Sequence, residues 1–99
     1  MDDTLKWLQS WYYDLCDGNW EHTHGISIET IDNPGWKVSI DLSKTSYENL
    51  SFSPVKMDHS NSNWYHCLVK HKKFVGYGGP NNLLDIVKAF KEWTEEQGG

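Results

Sequence analysis

Arginine is absent from this 99-residue chain, and nine lysines supply its entire fixed positive charge. Phosphate and nucleic-acid sites lean on bidentate guanidinium contacts, so direct nucleic-acid binding is not expected. Cysteine is scarce. Cys16 and Cys67 stand far apart, and no secretion signal opens the chain, so a structural disulfide is not expected and both read as reduced, small hydrophobes. No apolar run approaches the roughly 20 residues of a membrane span. These absences set the expectation of a soluble, cytoplasmic protein with neither a membrane nor a nucleic acid as partner.

Aromatic residues are plentiful: six Trp, five Tyr and three Phe. A buried aromatic side chain contributes ~150–250 Å² of area, which compensates for a modest aliphatic content. A chain of this length makes one domain, residues 1–99, and buries about two-thirds of its unfolded surface. That suffices for one core and not for a deep, multi-lobed active site. Fourteen acidic residues give a net charge of −5. An acidic protein suits a basic partner, although moderate acidity also serves solubility alone.

Periodicity sets the element order. Thr4–Leu15 reads as an amphipathic helix, with Leu5, Leu8, Tyr12 and Leu15 on one stripe widened by Trp7 and Trp11. Asp2, Asp3 and Thr4 are candidate N-caps, and Asp17-Gly18 is the stop, Gly18 being free to take a left-handed conformation. Residues 25–32 and 36–42 alternate as half-buried antiparallel strands. Face parity demands that Ile28 face Ile40, hence a loop of residues 33–35 or a bulge, with Gly35 at positive φ. A third strand is expected near residues 50–55, a polar loop over 57–63, a fourth strand over 64–70 and a short extra strand over 74–77. Asn81 or Asn82 then caps a last helix whose stripe is Leu83, Ile86, Val87, Phe90 and Trp93, fraying at 97–99. The expectation is an α+β fold: an antiparallel sheet of four to five strands, with an N-terminal and a C-terminal helix packed on one face. Leu8, Tyr12, Ile26, Ile28, Val38, Ile40, Leu83, Val87 and Phe90 form the expected core.

Three constellations invite a chemical reading. His22 and His24, at i and i+2 on an extended segment beside Glu21, suggest a metal-dependent hydrolase. Glu21 then points the other way, and no paired Cys or His motif lies elsewhere, so no metal ion is implied; Glu21 and His22 read instead as hydrogen-bonded anchors of a turn beneath Trp20. Cys16 suggests a sulfurtransferase nucleophile, but such a thiolate wants a cationic loop or a helix N-terminus. Cys16 sits at the opposite helix end, beside Asp14 and Asp17. Gly76-Tyr77-Gly78-Gly79-Pro80 lacks the Lys-Ser/Thr ending of a phosphate loop, and Pro80 removes a donor amide. No catalytic residue and no cofactor follow.

The block Trp11-Tyr12, Cys16-Asp17-Gly18, Trp20-Glu21-His22, Gly25-Ile26, Ile28-Glu29-Thr30 and Asp32-Asn33-Pro34-Gly35-Trp36 resembles the immunity protein 53 family of bacterial polymorphic toxin systems. Sparser matches follow at Trp64, Phe74, Gly76, Gly78, Phe90 and Trp93. The resemblance implies a small intracellular protein that binds and neutralises a cognate toxin domain without catalysis. The residues themselves point to a compact acidic binding module, for which a small enzyme and a regulatory module for a basic peptide are the other readings. If the helices cover the Ile26/Val38/Ile40 face, the other face presents Glu29, Ile31, Lys37, Asp41, Trp64, His66 and Leu68. An acidic-aromatic surface drawn from Glu21, Glu29, Asp32, Asp41 and Trp64 is therefore the expected contact for a basic toxin domain.

Overall fold

The first helix, α1 (Thr4–Leu15), buries Thr4 and Leu8 and turns Trp7 and Trp11 edge-on against Phe90, at 5.9 and 4.9 Å between ring centres. The large indoles set its rotation, since each has more apolar area to bury than a leucine. Leu5 and Tyr12, expected on the buried stripe, are therefore left 63% and 38% exposed. The helix stops where expected, with Gly18 at φ +93°. A computed structural model describes residues 3–32 and 34–98. After α1 come a helical turn α2 (Trp20–Thr23), the strands β1 (Ile26–Ile31), β2 (Gly35–Asp41), β3 (Val55–Ser60), β4 (Asn63–Lys70) and β5 (Lys73–Gly78), and the helix α3 (Leu83–Gly98).

The five strands form one antiparallel sheet in the order β1-β2-β5-β4-β3. Both long helices lie on one face, so the α+β expectation holds. The expected short extra strand is instead the central strand β5. Its inward positions are Phe74, Gly76 and Gly78, and glycine adds nothing to an apolar alternation. The third strand also moves, because residues 50–54 are irregular and β3 occupies most of the expected polar loop. Only Val55 and Met57 face the helices from this edge strand, too few to set a visible period.

The first hairpin pairs Ile26 with Ile40 and Ile28 with Val38, closing at Ile31 and Gly35. The odd loop demanded by parity is present, but it spans 32–34 rather than 33–35, and Ile28 meets Val38 instead of Ile40. Asn33 lies outside the described residues. Gly35 does not have the expected positive φ. It is needed for close approach, since a Cβ there would strike the carbonyl oxygen of Gly78. The β4–β5 turn does use left-handed backbone, at His71 (φ 54°) and Lys72 (φ 62°).

Val38, Ile40, Leu42, Phe74, Ile86 and Phe90 are fully enclosed, with Leu8, Cys67, Val87 and Trp93 around them. Of the expected core, Ile26 and Leu83 are half-buried, whereas Tyr12 and Ile28 are exposed. Indole N–H groups pin the long connections. Trp20 Nε1 donates to the Ser43 carbonyl (2.9 Å), Trp93 Nε1 to Ser51 (2.9 Å) and Trp36 Nε1 to Pro80 (3.0 Å). Each ring thus buries its apolar body while its one polar atom satisfies a loop carbonyl. Asn82, buried ahead of α3, accepts from the Trp64 amide and donates to Asn63 and Asp85, tying the helix start to β4. The helix continues to Gly98, beyond the point where fraying was expected, and Gly99 lies outside the described residues.

Candidate functional site

Strand alternation sends Ile26, Val38, Ile40, Phe74, Cys67 and Val55 toward the helices and their neighbours the other way. The outward residues fall into rows across the sheet. One row is Glu29, Lys37, Tyr77, His66 and Lys56; beside it runs Ser27, Ser39, Val75 and Leu68. Trp64 and Asp58 pair at one end of this face, and Asp41, Lys73 and Lys70 line up at the other. Neither α1 nor α3 packs on it among the described residues, and α2 reaches only its Asp41 end, where Thr23 and His24 lie beside Ser27, Ser39 and Lys73. The parity argument thus placed Glu29, Ile31, Lys37, Asp41, Trp64, His66 and Leu68 together correctly.

The aromatic part of this face is held in place from below and from the side. A Cβ on Gly79 would stand 3.2 Å from Trp64 Nε1, so the half-buried indole lies across bare backbone. Its ring meets His66 edge-on at 5.3 Å. His66 Nε2 lies 2.9 Å from Asp58 Oδ1, and Lys56 Nζ lies 3.8 Å from the other carboxylate oxygen. Lys37 Nζ stands 5.9 Å from the centre of the Tyr77 ring, within cation–π range. Tyr77, Val75 and Asp58 went unnoticed in the sequence because β5 read as peripheral and β3 as a loop. The two-residue alternation of Val55 and Met57 with Lys56 and Asp58 is too short a signal to have shown the strand.

The five residues expected to form the contact do not share one patch. Glu29 is exposed on the edge strand β1 beside Lys37, and Asp32 is exposed at the hairpin tip. Asp41 is half-buried at the far end from Trp64, six positions further along β2 than Gly35, or ~20 Å. Its Oδ2 accepts from His24 Nδ1 at 2.7 Å and its Oδ1 from the Ser43 amide at 2.9 Å. Burial alone would raise its pKa, but the Ser43 amide and His24 outweigh it and hold the carboxyl below its ordinary value. Glu21 sits in α2, where its two oxygens accept from the Asp17 and Gly18 amides at 3.0 and 2.8 Å. The backbone amides, its own first and then those of Gly18 and Asp17, lower its pKa.

Charge divides the sheet face rather than making it uniformly acidic. The β1–β2 half carries Glu29 and Asp41, with Asp32 at the tip, against Lys37 alone. The β3–β5 half carries Lys56, Lys70 and Lys73 against Asp58. A concavity of about 460 Å³ lies between α3 and the β3 edge, lined by Phe52, Tyr65 and Trp93 and by Asp85, Lys88, Glu92 and Glu96. Burial, together with Asp85, raises the Tyr65 pKa.

The residues considered for chemistry are dispersed. His22 and His24 are not on an extended segment, because Trp20–Thr23 is a helical turn; His22 is exposed, while His24 is engaged by Asp41. Among the described residues no three His, Cys, Asp or Glu side chains converge as metal ligands. Cys16 Sγ donates to the Tyr12 carbonyl at 3.4 Å, and Cys67 is buried with its thiol pushed up to about 12 by burial. Both are free thiols. Among the described residues no helix is long and apolar enough to cross a membrane.

The fold is thus a helix-backed antiparallel sheet whose other face carries Trp64, His66 and Tyr77. The immunity protein 53 family model matches residues 5–95, and the chain belongs to that family. The family name points to an immunity protein, hence to a non-enzyme with a toxin as its partner. No curated protein and no solved structure matched the chain.

Proposed function

We propose that this chain is a cytoplasmic immunity protein of a polymorphic toxin system, and that it binds and neutralises a cognate bacterial toxin domain through the open face of its sheet. The observation that supports this reading is the position of Trp64, His66 and Tyr77 on the sheet face opposite α1 and α3. Trp64 rests on Gly79 and against His66, so little side-chain freedom remains to be lost on binding. Fixed aromatic rings of this kind are the usual anchors of protein interfaces. Glu29 and Asp41, with Asp32 at the tip and Glu21 beyond the start of β1, give the β1–β2 half the sign that attracts a basic toxin domain. The bound sheet then occludes the toxin's active or substrate-binding surface, and no catalytic step by the immunity protein is involved.

The test is protection in cells expressing the cognate toxin domain. The wild-type chain restores growth, and the Trp64→Ala/Tyr77→Ala variant, shown by circular dichroism to be folded, does not. Full protection by that variant would move the contact off this face, to the concavity between α3 and β3.

A further inference from the structure

Helical spacing puts Asp85, Ala89, Glu92 and Glu96 on one flank of α3, at i, i+4, i+7 and i+11. This flank is one wall of the 460 Å³ concavity, which lies on the helix side of the sheet and away from Trp64. Lys88 borders the same space, so three carboxylates stand there against one ammonium. Asp85 accepts from Asn82 Nδ2 at 2.8 Å. Glu92 and Glu96 are exposed, and neither enters an ion pair among the described residues.

The floor is aromatic. Phe52 meets Trp93 edge-on at 5.3 Å between ring centres, and Tyr65 joins them from β4. Burial first, then Asp85, Cys67 and Glu92, raise the Tyr65 pKa, so the carboxylates of the wall act on the ring of the floor. The remaining wall is main chain. Residues 51–53 belong to no strand, and Phe52 and Ser53 make no backbone–backbone hydrogen bond among the described residues.

We infer that this concavity docks an extended basic peptide segment of a partner protein, with arginine or lysine stems over Phe52 and Tyr65 and their charged heads at Glu92 and Glu96. Such side chains bury their methylenes on apolar surface while the head stays at a wet rim. Their cations are also attracted to aromatic faces. Alternate side chains of an extended chain project to one side about 6.6 Å apart. The rise from Glu92 to Glu96 along α3 is about 6 Å, so basic residues at i and i+2 reach both carboxylates. The unpaired amides and carbonyls of Phe52 and Ser53 suit a peptide main chain, which a free polyamine lacks. An acidic segment is repelled by this wall, and an apolar one would desolvate Glu92 and Glu96 with nothing to pair them.

The experiment titrates the peptide acetyl-Arg-Gly-Arg-Gly-amide into the isotope-labelled chain without any toxin, so its outcome is independent of the proposed function. Amide resonances of residues 51–53, 65 and 85–97 should shift together and saturate. Glu92→Gln with Glu96→Gln should weaken binding by about tenfold, with an unchanged circular dichroism spectrum. Asp14→Asn with Glu95→Gln removes the same charge outside the concavity and should change the affinity by less than about twofold. No saturable shift, shifts centred on the Trp64 face, or equal weakening by both double variants would each overturn the inference. Spermidine moving the same resonances at lower concentration than the peptide would overturn it too, giving the concavity to a free polyamine.

Discussion

The Cγ2 methyl of Ile86 fills the space that a side chain on Gly76 would occupy. Gly78, two residues on, leaves equivalent room for Ile86 Cδ1, which would stand 2.9 Å from an added Cβ. The last helix therefore rests on the bare backbone of the central strand. This close approach fixes how far α3 stands from the sheet, and hence how the core closes around Phe74 and Phe90.

Adding a methyl at that contact should be costly. Gly76→Ala is expected to destabilise the protein by about 1–3 kcal/mol through overpacking. Ile86→Ala should cost about 2–5 kcal/mol through the cavity it leaves. The double variant should lose less than the sum, because each change accommodates the other, and urea denaturation of all four proteins measures the coupling. Strict additivity would show that the two groups do not compete for the same space.

The turn after α1 should weaken in acid. Glu21 and Asp17 both have folded-state pKa values below their ordinary ones, Glu21 through its own amide and those of Gly18 and Asp17, Asp17 through the Trp20 and Asn19 amides. A lowered folded-state pKa means that the unfolded chain takes up protons first as pH falls. The stabilisation is thus complete above the ordinary carboxylate range and is lost as pH drops through the lowered values. Thermal melts from neutral pH into that range should show the decline. Glu21→Gln should start lower at neutral pH and decline less steeply, since one of the titrating groups is gone.

The thiols should react differently. Cys67 is 1% exposed with its pKa pushed up to about 12, so it should resist a thiol reagent in the folded protein. Cys16 is half-exposed at the end of α1 and should be modified. Titration with a chromogenic disulfide should count one reactive group in buffer and two in denaturant. Cys16→Ala should leave protection against the toxin unchanged; loss of protection in a folded Cys16→Ala protein would reopen the sulfur-chemistry reading.

Toxin binding should separate into two kinetic effects. Glu29 and Asp32 are exposed, so Glu29→Lys with Asp32→Lys should slow association by about tenfold at low salt and flatten its salt dependence. Trp64→Ala should act on dissociation, raising the off-rate by about 30-fold, the equivalent of a hot-spot loss of about 2 kcal/mol. Surface plasmon resonance against the immobilised toxin domain reads both. A Trp64→Ala complex that dissociates like the wild type would remove this residue from the interface.

What could be read directly from the sequence was local. The 12 residues of α1, the Gly18 stop, the apolar stripe of α3 and the parity of β1 and β2 all follow from side-chain periodicity and turn chemistry. Parity alone also gathered Glu29, Lys37, Trp64, His66 and Leu68 onto one face. The Trp-rich block around residues 11–36 carried the family resemblance, which the match over residues 5–95 supports.

Tertiary contact decided the rest. The central place of β5 was invisible because its inward positions are two glycines and a phenylalanine, chosen for what Ile86 needs and not for their own burial. The rotation of α1 was settled by Phe90, which draws Trp7 and Trp11 inward and leaves Leu5 and Tyr12 outside. Glu21, in α2, and Asp41, at the far end of β2, lie away from the aromatic centre, and the amides and the imidazole there engage them. Periodicity records which residues share a side of one element. Which neighbour lies against that side, and at what distance, is set by packing between elements far apart in the chain, and that arrangement defines the open face.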